Sequence, residues 1–179
     1  MVRLLEGAPV LRRVVPLEGS PYGMALTHDG KLLIVASDDR VAFIDAVQLA
    51  AGSADVVLGY LNDAPMAGRA YANVTPDDRW LFVSDESTRT ISVIDLNRAR
   101  TSGFHANAVV GQIPVGRAPI ALTFSPDHQL LYTTSQVAPD AYGWPPACKP
   151  PAAEAARQGS RYDRWHGAGR CIPPRVESY

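Results

Sequence analysis

The sequence predicts an all-β protein, a partial β-propeller of four-stranded antiparallel blades followed by an irregular C-terminal tail. Three observations carry that expectation. A fifteen-residue pattern recurs without gaps at Gly23 to Ser37, Tyr71 to Asp85 and Ala121 to Ser135. Within it, Asp29, Asp77 and Asp127 form one column, at intervals of 48 and 50 residues. A second column pairs Val41-Ala-Phe-Ile-Asp45 with Ile91-Ser-Val-Ile-Asp95, again 50 residues apart. A sustained period of about 40 to 50 residues suits one propeller blade, since each such unit is a supersecondary element that needs its neighbours.

In chain order, the first unit predicts strands at Met24 to Thr27, Leu32 to Ala36, Val41 to Ile44 and Val56 to Gly59. The runs are rich in Val, Ile, Leu and Phe, and Asp29-Gly30 between the first two is a hairpin signal because Asp and Gly tolerate turn dihedrals. The second unit repeats this at Ala72 to Thr75, Trp80 to Val83, Thr90 to Ile94 and Ala108 to Ile113. The third stops after two strands. The blades therefore occupy 1–136, as repeats near 19–63, 64–114 and 115–136. Sheets apolar on both faces cannot stand alone, and radial stacking is the expected solution.

From Gln136 onward the period is lost. Residues 137–179 are dense in Pro, Ala, Gly and Arg, with Pro145-Pro146, Pro150-Pro151 and Pro173-Pro174. This pattern reads as a loop inserted in the third blade or as a tail, with a short helix at most over Ala152 to Gln158. A truncated or frame-shifted gene is the alternative source of so abrupt a change. Cys148 and Cys171 lie in this stretch. Their spacing fits neither a redox motif nor half a zinc site, leaving a disulfide or two independent thiols.

Composition narrows the function classes. With 46% hydrophobic and 20% charged residues the chain can bury a real core. The formal net charge of −1 comes without a basic run, so no nucleic-acid footprint is predicted. No apolar stretch approaches the about 20 residues of a membrane-spanning helix. Met1 to Val10 lack the apolar core of a secretory leader.

Specific residues then point to a family. Gly116-Arg-Ala-Pro-Ile-Ala-Leu-Thr-Phe-Ser-Pro-Asp127, followed by Leu130-Leu-Tyr-Thr-Thr134, resembles the YVTN β-propeller repeat. So does Phe82-Val-Ser-Asp85 followed by Ile91-Ser-Val-Ile-Asp95. That repeat combines a Val-Gly-x-x-Pro opening, a Ser-Pro-Asp-Gly turn, a Tyr-Val-Thr-Asn second strand and a Val-Ile-Asp third strand. The resemblance covers roughly residues 10 to 136. The turns depart from it, reading His28-Asp29-Gly30, Pro76-Asp77-Asp78 and Pro126-Asp127-His128, so only the first keeps the glycine. Closed propellers use about 4 to 8 blades. Two and a half blades imply a fragment, an open stack or a homo-oligomer that completes the ring. Export of similar proteins favours a periplasmic or extracellular location.

Propeller geometry also sorts the loops. The Asp29, Asp77 and Asp127 hairpins share one rim, here the turn rim. The loops before each first strand and between second and third strands share the other, the start rim. The resemblance implies that ligands meet the start rim and the central channel. Its candidate binding residues are Tyr22, Asp38, Asp39, Arg69, Asp85, Glu86 and Arg117, accompanied by Pro21, Arg40, Ser87, Arg89 and Gln136. Arg69 and Arg117 sit at similar repeat positions, and an arginine fork suits a carboxylate or phosphate. The competing reading is of solvated loop charges.

The remaining polar residues read as structural. Asp29, Asp77 and Asp127 are expected to bond their own hairpins, and Asp45 and Asp95 to cap short helical turns. Trp80 is expected in packing. His28, His105, His128 and His166 lack metal-ligand spacing, Ser87 and Ser125 lack a nucleophile elbow, and no cofactor motif occurs. The leading expectation is a non-catalytic propeller scaffold that binds a small molecule or protein on its start rim. The alternatives are a lactonase-like hydrolase resembling the phosphogluconolactonase-type propellers, and a fragment without activity.

Overall fold

Short apolar runs joined by tight turns give meandering sheets, because each turn lays the next strand antiparallel beside the last. The computed structural model describes residues 2–3, 10–64 and 66–137. Val2–Arg3 (β1) and Val10–Leu11 (β2) make a small antiparallel pair. Pro21–Leu26 (β3), Leu32–Ser37 (β4), Arg40–Asp45 (β5) and Val57–Leu61 (β6) form a four-stranded sheet in that order. Arg69–Val74 (β7), Trp80–Asp85 (β8), Thr90–Asp95 (β9) and Val109–Pro114 (β10) form the second in the same order. Arg117–Phe124 (β11) and Leu131–Val137 (β12) pair as a third. The expected tail helix and the two cysteines lie outside the described residues.

The expected strands are present, with the first of each sheet beginning earlier than the pattern suggests. β3 starts at Pro21 because its pairing with β4 shifts register between Pro21 and Met24, which lets the chain bend before the regular ladder begins. Between third and fourth strands lie two short helices, Ala46–Ala51 (α1) and Leu96–Ser102 (α2). The aspartates that end β5 and β9 start them. Asp45 accepts the Gln48 N–H at 2.8 Å and Asp95 accepts that of Arg98 at 3.0 Å, satisfying donors that a helix start leaves open.

The two sheets share one core. Ile34, Ala36, Val41 and Phe43 of the first meet Ala72, Val74, Leu81, Val83 and Ile94 of the second in one buried cluster. Phe43 stacks on Phe104 with ring centroids 4.5 Å apart. The sheets are thus stacked blades, and burial of their facing sides is the main force joining them. The far face of the first blade buries Val35, Ala42 and Ile44 under Val15, Leu17 and α1. The second blade meets the third through an edge-on Phe82 and Phe124 pair at 5.8 Å and through two side-chain bonds. Asn73 Nδ2 donates to the Leu122 carbonyl at 3.2 Å, and Ser84 Oγ to that of Ile120 at 2.7 Å.

First strands lie side by side, β3 against β7 and β7 against β11. The approach is closest at Gly23, where an added Cβ would stand 2.6 Å from the Ala70 oxygen and 2.8 Å from the Tyr71 Cα. No side chain fits there. Trp80 is half-buried, with the Arg79 guanidinium 4.7 Å from its ring centre, so it shields the blade edge without entering the core.

The turn rim is one device used three times. Two residues before each column aspartate stands a hydroxyl, Thr27, Thr75 or Ser125, which donates to that aspartate at 2.7, 2.5 and 2.5 Å. The same hydroxyl oxygens accept the N–H of Leu32, Trp80 and Leu130 at 2.9, 3.0 and 3.0 Å. The residue after the aspartate is left-handed each time, with φ of 71° at Gly30, 55° at Asp78 and 58° at His128. Asp and His are among the side chains that best tolerate this region, which explains how two of the three turns do without a glycine. Asp78 gains a second role. Its carboxylate accepts the N–H groups of His28 and Asp29 at 2.7 and 2.8 Å and faces His28 Nδ1 at 3.0 Å, latching the second blade to the first.

Candidate ligand pocket on the start rim

At the opposite ends of the first strands the blades do not close over. A pocket of about 380 Å³ opens there, lined by Tyr22, Gly23, Asp38, Gly68, Arg69, Ala70, Tyr71, Glu86, Ile120 and Gln136. All three blades contribute, through β3, β7 and β11 and through the loops after β4 and β8. Tyr22 is 64% exposed and Tyr71 37% exposed, so both phenols stand at the mouth.

Asp38 holds the rim together. It adopts φ 51°, its Oδ2 accepts the Ser20 N–H at 2.8 Å, and its carbonyl accepts the Arg69 N–H at 2.5 Å. This last bond is an isolated bridge between the first two blades. Glu86, half-buried, is tied by its backbone N–H to the Gly68 carbonyl at 2.9 Å.

Beneath them Arg69 is wholly buried, unlike the rim-exposed fork the sequence suggested. Its Nη2 donates to Asp63, and its Nε lies 3.8 Å from Asp85, itself fully buried. Arg69 Nε and Nη1 and Asp85 Oδ1 have no hydrogen-bond partner. Asp85 does accept from Ser92 Oγ and, at 3.4 Å, from Thr90 Oγ1. Burial pushes the Asp85 carboxyl above its ordinary value, outweighing the opposing pull of Arg69 and of the hydroxyls.

Of the seven expected binding residues, Tyr22, Asp38, Arg69 and Glu86 line the pocket. Asp85 lies below it. Asp39 is occupied elsewhere: it accepts from Arg40 Nε at 2.9 Å, which holds its carboxyl below the usual range, and Arg40 also pairs with Glu18. Arg117 is exposed and outside the lining. The expected equivalence of Arg69 and Arg117 fails on register. Arg69 stands six residues before the turn hydroxyl Thr75, whereas Arg117 stands eight before Ser125. The repeat equivalents of Arg69 are Pro21 and Pro119.

Two participants escaped the sequence reading. Tyr71 carried no signal beyond being an aromatic in a strand, and Asp63 sits in a connection with no repeat counterpart. Among the described residues no group of three or more His, Cys, Asp or Glu side chains is placed to hold a metal ion, and no helix is long and apolar enough to cross a membrane.

The fold matches solved propeller-type structures. One is the hydrazine synthase of Kuenenia stuttgartiensis, at 23% identity and a TM-score of 0.53, covering 70% of this chain and 32% of that one. A protein from Lactobacillus plantarum matches at 19% identity and a TM-score of 0.58, covering 73% and 39%. A candidate 6-phosphogluconolactonase from Bacteroides uniformis matches at 15% identity and a TM-score of 0.58, covering 75% and 40%. This chain therefore spans 32 to 40% of the length of those structures. No protein-family description and no curated protein matches the sequence.

Proposed function

We propose that this chain is a YVTN-type propeller segment that binds a small molecule in the start-rim pocket. The observation that carries this reading is the pocket itself, about 380 Å³, assembled from the first strands of all three blades. Small-molecule sites typically occupy about 300 to 1,000 Å³. Its lining mixes aromatic rings, carboxylates and an apolar wall at Ile120, the combination that orients a ligand. The repeat motifs quoted above support the kinship.

Ligand-detected NMR with a library of small polar aromatics tests this. Wild-type protein should bind a subset, and Gln136→Trp, which places a large side chain at the exposed mouth, should lose those ligands while keeping its melting temperature. Equal binding in the two would put the ligand elsewhere.

A lactonase is the second reading, favoured by the likeness to the Bacteroides uniformis structure described as a 6-phosphogluconolactonase. It predicts hydrolysis of 6-phosphogluconolactone above the uncatalysed rate. Arg117 is an exposed arginine at the start of β11 that can meet an acidic substrate, so Arg117→Ala should raise KM. An uncatalysed rate with wild-type protein would end this reading.

A further inference from the structure

We propose that copies of this chain associate head to tail, the open face of the third blade of one copy receiving β3 of the next. The proposal does not rest on the pocket reading. It starts from how the blades already meet, each showing one face to the blade before it and the other to the blade after it. Ala72 in β7 and Leu122 in β11 hold the same repeat position, on the face toward the preceding blade, and both are buried. Met24 holds that position in β3 and is 58% exposed. Leu26 is open in the same way where its equivalent Val74 is buried.

The other end of the stack shows the complementary face. Ile34 in β4 is buried against the second blade, and Phe82 in β8 meets Phe124 of the third. Tyr132 in β12 holds their position and is 53% exposed, with Leu130 exposed beside it on the same face of the strand. Continuing the pattern sets Tyr132 of one copy against Leu26 of the next, as Phe82 is set against Phe124.

A hydroxyl on this face is an independent sign. Ser84 Oγ accepts the Tyr71 N–H of its own blade at 3.0 Å and donates to the Ile120 carbonyl of the following blade at 2.7 Å. Thr134 holds the position of Ser84, and its Oγ1 accepts the Ala121 N–H of its own blade at 3.2 Å. The inward half of the joint is therefore formed. Among the described residues the Thr134 hydroxyl donates to no acceptor, and the Tyr22 carbonyl of a second copy falls where Ile120 stands.

The chain's own first blade does not reach this place, because β7 stands between β3 and β11 and closed rings take about 4 to 8 blades. A second copy brings matching halves. Val15, Leu17 and α1 cover the outer part of the first blade's backward face, leaving the stripe on β3 open. Among the described residues the third blade likewise presents only two strands, β11 and β12. A head-to-tail joint of this kind is heterologous, so it either closes as a ring or grows.

Sedimentation equilibrium of the full chain under reducing conditions tests this, between about 1 µM and 1 mM, where a small interface associates. The weight-average mass of wild-type protein should rise above one chain with concentration. Leu26→Glu and Tyr132→Glu should each weaken association at least about tenfold, the cost of losing one buried apolar side chain. Both side chains are exposed in the single chain, so the melting temperature should hold. An equimolar mixture of the two variants should form a one-to-one pair and stop there, because each supplies the face that the other lacks. Wild-type protein at single-chain mass throughout, either variant associating as wild type does, or a mixture that stays monomeric would overturn the proposal.

Discussion

The two rims of the blades use the same residue types for opposite ends. On the turn rim, Asp29, Asp77 and Asp127 each hold a hydroxyl and a backbone N–H of their own hairpin, and Asp78 ties one blade to the next. On the start rim, Asp38 and Glu86 line an open pocket above the buried cluster of Arg69, Asp63 and Asp85. The polar residues of the turns recur because every blade needs the same turn, and the polar positions at or just after the end of each second strand, Asp38, Glu86 and Gln136, recur at the pocket as well. The buried ion cluster beneath the pocket breaks the period: Arg69 stands where the other blades have Pro21 and Pro119, and Asp85 where they have Ser37 and Ser135.

Removing Arg69 should produce the largest effect. Arg69→Met leaves Asp63 and buried Asp85 without a cation, and losing one partner of a buried pair costs about 3 to 5 kcal/mol. Urea denaturation reads this directly, and a loss within the scatter of surface mutants would show that the ionic cluster is idle. Next comes the latch. Asp78→Ala removes the acceptor of two backbone N–H groups and keeps a Cβ at left-handed φ without the compensating bonds, for a loss of about 1 to 3 kcal/mol. Asp78→Gly should lose less, since glycine relieves the backbone strain while still abolishing the latch. Equal losses would mean that backbone strain contributes nothing at this turn.

The pH response should divide the rims as well. Hydrogen bonds hold the Asp29, Asp77 and Asp127 carboxyls below the usual aspartate value. Their stabilisation is present above the unfolded value near 3.9 and is lost as pH falls through the lower folded one. Asp85 behaves in reverse, because burial raises its folded value. Its contribution is present below the unfolded value and is lost as pH rises through the folded one. Stability of Asp85→Asn relative to wild type should therefore climb with pH above about 4 and then level off. Denaturation curves that stay parallel across that range would contradict it. Smallest of all, Arg117→Ala should change stability by less than about 0.5 kcal/mol, as expected for an exposed side chain away from special features.

Much of the fold was legible in the residues. The hairpins follow from local chemistry in Asp29-Gly30 and its counterparts, and the helix starts at Asp45 and Asp95 follow from one side chain and the N–H three residues on. Such signals lie within a few positions of each other, so a single sequence displays them. The pocket was half legible. Tyr22, Asp38 and Glu86 fall where blade geometry puts rim loops. Burial of Arg69 was not, because it depends on Asp63 from the β6–β7 connection and Asp85 from the end of β8 converging once the register shift between Arg69 and Tyr71 is set. The latch at Asp78 was hidden for the same reason, since its partners lie 49 and 50 residues away on another blade.

The division of labour between rims is tested most directly by mapping backbone amide shifts of isotope-labelled protein during titration with a small polar aromatic that the ligand screen selects. The account predicts progressive shifts at Tyr22, Gly23, Asp38, Arg69 to Tyr71, Glu86 and Ile120, with the hairpins at Asp29, Asp77 and Asp127 unmoved. Shifts concentrated on those hairpins, or spread evenly over both rims, would contradict it.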